Sequence, residues 1–279
     1  MAAAPVSAPI SIHEWVDYLS QAEIPVLKHT AREMAKLQAD PDAVSGRAIF
    51  SVVIPDPLMV FRVLRYAHTH KSRSQVHDIV QIEHIVMMMG TETFFRALPP
   101  KPLVDDILRT NLPALASLLK LIHRGHRASQ YAFNWAAILH DLHSEEVGIS
   151  ALLHDLVEML MWCHAPEKML KIQALQQADK TLRSHHVQTE VFGFTFAELQ
   201  HKLLDQCGMT PLLVRLLRDE NATEPRARNV ILAVNLARHS SHGWDDAALP
   251  DDYRDVAELL HVDVNRAMHI IGVPGHGIS

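Results

Sequence analysis

Glycine is scarce in this chain, 10 of 279 residues, and apolar positions recur at spacings of three and four instead of alternating. Together these leave little room for sheet and predict helix nearly everywhere. There are only two cysteines, Cys163 and Cys207. Without a paired-thiol spacing they read as reduced, buried or half-buried thiols and not as a disulfide. No apolar run approaches the roughly 20 residues of a membrane span, and Met1 to Ile12 lacks the basic start and apolar core of a secretory signal. The expected setting is therefore cytoplasmic. Positive charge is also in deficit: 26 Lys and Arg face 32 Asp and Glu, for a net charge of −6. That balance works against long-range attraction to nucleic acid or anionic lipid, so any such binding has to come from a local patch. Neither a fixed-period repeat nor a low-complexity tract is present beyond the Ala- and Pro-rich start, which excludes solenoids and coiled coils.

What is present suits a folded helical protein. Apolar residues make up 48% and charged residues 21% of the chain, near the globular average. The expected fold class is all-α, a multi-helical bundle of two packed lobes covering residues 13–110 and 111–279, after a flexible tail at 1–12. Ile79, Ile82, Val86 and Met89 form one apolar stripe over Ser74 to Met89, with Gly90 placed to end that helix. Asp56-Pro57 reads as an N-cap followed by a first-turn proline, so Leu58 to His68 should be helical. Ser144 before two glutamates, Thr210 before Pro211, and the capping box Thr195 to Glu198 predict three more helix starts. Breaks are expected at Pro99-Pro100, Ala165-Pro166, Gly208 and around Trp244 to Asp252.

The sharpest chemical signal is His154-Asp155, set in the apolar stretch Ala151 to Leu156. Adjacent His and Asp at a helical bend can both reach a divalent ion, and an ion so held can activate water for phosphoester hydrolysis. Two ligands do not complete a site, and a hydrogen-bonded buried pair is the plainer reading. The 20 histidines mostly lack supportive spacing: His77 and His84 fit a solvated stripe, and His140-Asp141 with His143 fits a helix-terminal turn. Two basic clusters remain, Arg62, Arg65, His68, His70, Lys71 and Arg73, then Lys120, His123, Arg124, His126 and Arg127. If they share a groove, Arg62, Arg65, Arg124 and Arg127 are candidates for holding the phosphates of a signalling nucleotide. The competing reading is cations complementing the C-terminal ends of helices. Met87 to Met89 suit core filling better than a partner groove.

The order and spacing of several weak motifs make the chain resemble the HDOD family, the HD-related output domain, from about Ile24 to Ile271. Ile24-Pro25-Val26-Leu27 is similar to its opening Leu-Pro segment, and Asp56-Pro57-Leu58 with Arg62 to Arg65 to its Asp-Pro-x-Leu helix. Met89-Gly90 stands for its Leu-Gly step, Ala151 to Asp155 for its Leu-Leu-His-Asp signature, and Glu190 to Phe194 for its glutamate and Phe-Gly turn. The resemblance implies a bacterial signalling module related to HD phosphohydrolases. Those hydrolases add an upstream His and a downstream Asp to the pair. Here Arg127, Ala128 and Ser129 occupy the upstream position, with His126 just before it, and Asn235 occupies the downstream one. Asn carries no charge to offset a divalent ion. Leu156-Val157-Glu158 replaces the Gly and Lys that tend to follow the pair in hydrolases. Phe196 and Leu217 to Asp219 stand where many HDOD relatives have histidines.

These departures lead to the expectation of a non-catalytic regulatory protein with no cofactor and no metal. It would bind signalling protein partners and no membrane, and the sequence carries no strong nucleic-acid signal. The chain shows no receiver, cyclase or phosphodiesterase segment, so input and output are both expected to come through binding. Two alternatives stay open: a metal-dependent phosphohydrolase of nucleotides using His126, His154 and Asp155, and a nucleotide sensor without turnover.

Overall fold

The structure is a computed structural model that describes residues 11–40, 44–70, 81–218 and 223–275. Helices α1 (Ile12–Gln21), α2 (Lys28–Ala39), α3 (Gly46–Val53) and α4 (Pro57–Thr69) come first, then α5 (Ile82–Met89), α6 (Thr91–Ala97) and α7 (Val104–Ile107). The 27-residue α8 (Leu112–Ile138) precedes α9 (Ser144–Leu153), α10 (Leu156–His164), α11 (Pro166–Ala178), α12 (Ser184–Phe192) and α13 (Phe196–Gln206). The chain continues with α14 (Pro211–Leu216), α15 (Pro225–His239), a 3-10 turn at Ser240–His242, α16 (Leu249–Leu260) and α17 (Val264–Ile271). Among the described residues there is no strand, only one parallel bridge between Val26 and Leu103, so the fold is all-α as the apolar spacing predicts. No described helix is long and apolar enough to cross a membrane.

The local signals explain where several helices begin. Asp56 caps α4, its carboxylate accepting from the amides of Leu58 and Met59 at 3.1 Å each. The Thr195–Glu198 capping box closes reciprocally, and Thr210 caps α14 through the Leu213 amide. Gly193 ends α12 with φ +85°, a conformation that suits a residue without Cβ. Ser144 differs from expectation: it is the first residue of α9, preceded by His143, which makes no side-chain cap. The turn is instead held by Asp141, which accepts from the His143 amide at 2.9 Å. Of the stripe expected from Ser74, residues 71–80 lie outside the described residues, and Ile82, Ile85 and Val86 are buried in α5. Met87 and Met88 are 62% and 51% exposed, so they do not fill the core.

The chain forms two compact units, and they are not the consecutive segments 13–110 and 111–279. Of the described residues, one comprises 11–40, 44–70, 82–119 and 156–209; the other comprises 81, 120–155, 210–218 and 223–275. The physical reason is packing at long sequence separation. In the first unit α13 packs on α1, and α10 packs on both α4 and α13. Trp15 of α1 meets Phe192 edge-on at 6.2 Å between ring centroids. Residues 57–64 of α4 and 156–157 and 159–163 of α10 are buried on all sides, as expected for central helices.

In the second unit α15 packs against α9, α14 and α16, and α16 carries α17. Ala128, Ala132 and Ala136 of α8 join the same core as Ala227, Ala233 and Ala237 of α15. Small side chains at these positions let backbones approach, and the buried Asn229 donates to the Ala132 carbonyl at 3.1 Å. Gly148 serves the same end on α9, because a Cβ there would lie 3.2 Å from the Cβ of Phe133.

Candidate functional site

His154 and Asp155 occupy the two-residue turn between α9 and α10, within the second unit. The Asp155 side chain is 22% exposed and that of His154 19%. Asp155 Oδ1 lies 3.0 Å from His154 Nδ1, and Oδ2 accepts from Arg124 Nη2 of α8 at 2.6 Å. Each carboxylate oxygen therefore already has a strong partner, one of them a full positive charge. Burial alone would raise the Asp155 carboxyl. The His154 hydrogen bond and the nearby Arg124 and His154 charges more than offset it, holding the group well below the usual carboxylate range. With Nδ1 facing the carboxylate, Asp155 fixes the ring orientation.

Arg127 and Asn235, the positions that the resemblance sets beside the pair, make contacts of their own. Arg127 donates to the Ser240 carbonyl at 3.3 Å and to the Tyr131 hydroxyl at 3.0 Å, and lies over the Tyr131 and Trp244 rings at 5.9 and 5.6 Å. It fastens the 3-10 turn and Trp244 to α8. The Asn235 carbonyl oxygen accepts from Arg238. His126 is half-buried on α8. Among the described residues no three His, Cys, Asp or Glu side chains are grouped to hold a metal ion, so His126, His154 and Asp155 do not form a ligand set. Divalent ions require several anionic or imidazole donors converging on one point. Here Asp155 is engaged by the Arg124 guanidinium, and Asn235 carries no charge.

The histidine substitutions seen in the sequence have become apolar packing. Phe196 is buried with its ring 5.5 Å from that of Phe192, and Leu217 is buried as well. Asp219 lies outside the described residues. The second His-Asp pair forms a structural turn: His140 adopts φ +55°, and Asp141 receives Arg226 in a two-pronged contact at 2.6 and 2.7 Å.

The four candidate anion-binding arginines fall in different units. Arg124 and Arg127 belong to the second. Arg62 and Arg65 belong to the first, on α4, where each reaches backbone carbonyls: Arg62 those of Pro99 and Lys101, Arg65 those of Leu19, Ser20 and Ala22. Arg65 thereby satisfies the end of α1, where helix carbonyls lack partners. Lys71 and Arg73 lie outside the described residues. The ion pair from Arg124 to Asp155 was missed by sequence reasoning, although a cation on the helix where a ligand histidine is expected was a signal for it. The residues lining a cavity beside α4, Tyr66, Thr69 and Gln206 among them, left no signal in the sequence.

The HDOD domain family model matches residues 24–223. Among solved structures, the MmoQ response regulator of Methylococcus capsulatus str. Bath is similar with a TM-score of 0.63 at 20% identity, over 85% of this chain and 98% of that one. A virulence factor of Campylobacter jejuni subsp. jejuni gives a TM-score of 0.63 at 13% identity, over 94% and 97% of the two chains. These likenesses establish the shared helical fold. No curated protein matches the chain.

Proposed function

Because this chain belongs to the HDOD domain family, we propose that it is a bacterial, cytoplasmic signalling module that acts by binding partner proteins and not by hydrolysis. The observation that carries the reading is the guanidinium of Arg124 seated 2.6 Å from Asp155. A protein-borne cation there supplies the charge that a hydrolase draws from a metal ion. Unlike a metal it has no open coordination position, so it cannot generate a nucleophilic hydroxide. The pair then serves as a structural clasp between α8 and the turn after α9. The name of the Methylococcus neighbour, a response regulator, agrees with a role in signal transduction.

The test is metal content and turnover together. Protein purified without chelator should contain far less than one equivalent of manganese, iron or zinc. It should also leave bis(p-nitrophenyl) phosphate and cyclic dinucleotides uncleaved with manganese added. Stoichiometric metal accompanied by turnover that is lost in Asp155→Asn would overturn the reading. Partner capture with chemical crosslinking addresses the positive half, and an Arg124→Ala variant should weaken any complex that depends on this clasp.

A further inference from the structure

A cavity of about 450 Å³ opens in the first unit, and its lining includes Arg62, Arg65, Tyr66, Thr69 and Gln206. Arg62 and Arg65 stand three positions apart on α4, so both guanidinium groups leave the same face of the helix. Arg62 is only 9% exposed. The contacts of both groups go to carbonyls, two from Arg62 and three from Arg65. A guanidinium has five N–H donors, so each keeps some in reserve. Carbonyl dipoles orient a guanidinium without cancelling its charge. Among the described residues no carboxylate forms an ion pair with either arginine; Asp56 and Glu23 act on Arg62 only from farther away. Burial accordingly lowers the pKa of both, the mark of positive charge held away from water without a counterion.

Two further lining residues, Tyr66 and Gln206, carry polar groups that the protein itself leaves unused. The Tyr66 ring stacks on His70 at 3.9 Å, while its hydroxyl makes no hydrogen bond among the described residues. The carboxamide of Gln206, an exposed residue, is likewise unengaged. We propose that this cavity binds a small phosphorylated molecule, with the phosphate held between Arg62 and Arg65. Planar guanidinium forks match phosphate oxygens, and an anion would supply the missing countercharge. The volume lies in the range of small-molecule sites and is larger than a lone phosphate needs, leaving room for an organic part against Tyr66. The site lies wholly within the first unit and stands whether or not the second unit is catalytic.

Calorimetry with inorganic phosphate, glycerol 3-phosphate and AMP tests this on the full chain. Replacing either arginine would also release backbone carbonyls, so the informative variant is Gln206→Glu. That change is nearly isosteric, keeps every carbonyl contact, and places a competing carboxylate at the cavity wall. At least one phosphate ester should bind more tightly than inorganic phosphate, and Gln206→Glu should weaken it at least tenfold while the unliganded melting temperature does not fall. Absence of heat with all three probes, or equal affinity in the wild type and Gln206→Glu, would refute the site. Metal content does not enter this measurement, so its outcome is separate from that of the hydrolysis test.

Discussion

Asp155 is a carboxylate whose two oxygens are engaged by an imidazole and a guanidinium. Removing the cation leaves the acid partly buried with half its partners gone. Deleting one member of a fully buried pair costs about 3–5 kcal/mol, but these side chains keep about a quarter of their exposure, and solvent screens what remains. Arg124→Ala is therefore expected to cost about 1–3 kcal/mol in urea unfolding, with Arg124→Lys losing less because the charge survives. A variant as stable as the wild type would show the contact to be energetically idle. His164 gives a second residue-level expectation with a definite sign. Burial lowers its pKa from 6.5 to about 4, and the Tyr18 hydroxyl meets its Nδ1 at 3.0 Å. As pH falls through that window the unfolded chain takes up the proton before the folded one does. The stability contribution is complete above about 6.5 and drains away toward about 4. His164→Gln, which keeps an acceptor for Tyr18, should flatten stability against pH across the same window, measured by denaturation at a series of pH values.

At the scale of an element, α4 depends on one acid at its start. Asp56 is fully buried and accepts from three amides: Leu58 and Met59 in the first turn, and Leu27, 29 positions away, at 2.8 Å. Asp56→Ala would orphan all three donors and should cost about 2–4 kcal/mol, whereas Asp56→Asn, keeping one acceptor oxygen, should cost about half as much. Equilibrium denaturation of the two variants checks the order. The same residue shows what was legible in the sequence. Its bonds to Leu58 and Met59 lie within one turn, so the Asp-Pro pattern alone revealed the cap, as the T-F-A-E pattern revealed that of α13. The bond to Leu27 was invisible, because it depends on how a distant segment packs. Arg62 and Arg65 follow the same rule: the pair and its charge were visible, their carbonyl partners 37 to 46 positions away were not. At the candidate site, His154 and Asp155 could be picked out by their neighbours in sequence, whereas Arg124 joins them only because α8 runs past the turn after α9.

At the scale of the whole molecule, the division into units follows packing and not chain order. Pro99-Pro100 read as a break, and it does end a helix, α6. A helix end is a local event, however, and says nothing about which later segment completes a core. Residues 156–209 return to the first unit, where α10 covers α4 and α13 covers α1. Without them Trp15, Leu19, Leu58, Phe61 and Leu64, all at most 2% exposed, would lose part of their cover. Burying such side chains contributes about 1.5–3 kcal/mol each, so uncovering even some of them is comparable to the whole stability of a domain, about 5–15 kcal/mol. A fragment of residues 1–110 is therefore expected to be largely unfolded, with weak helical circular dichroism and strong binding of a hydrophobic dye. A fusion of residues 1–119 to 156–209 through a flexible linker should recover helicity and a cooperative melt, because it restores the segments that share that core. Cooperative unfolding of the 1–110 fragment alone would show that α10 and α13 are accessory to the first unit and not part of its foundation.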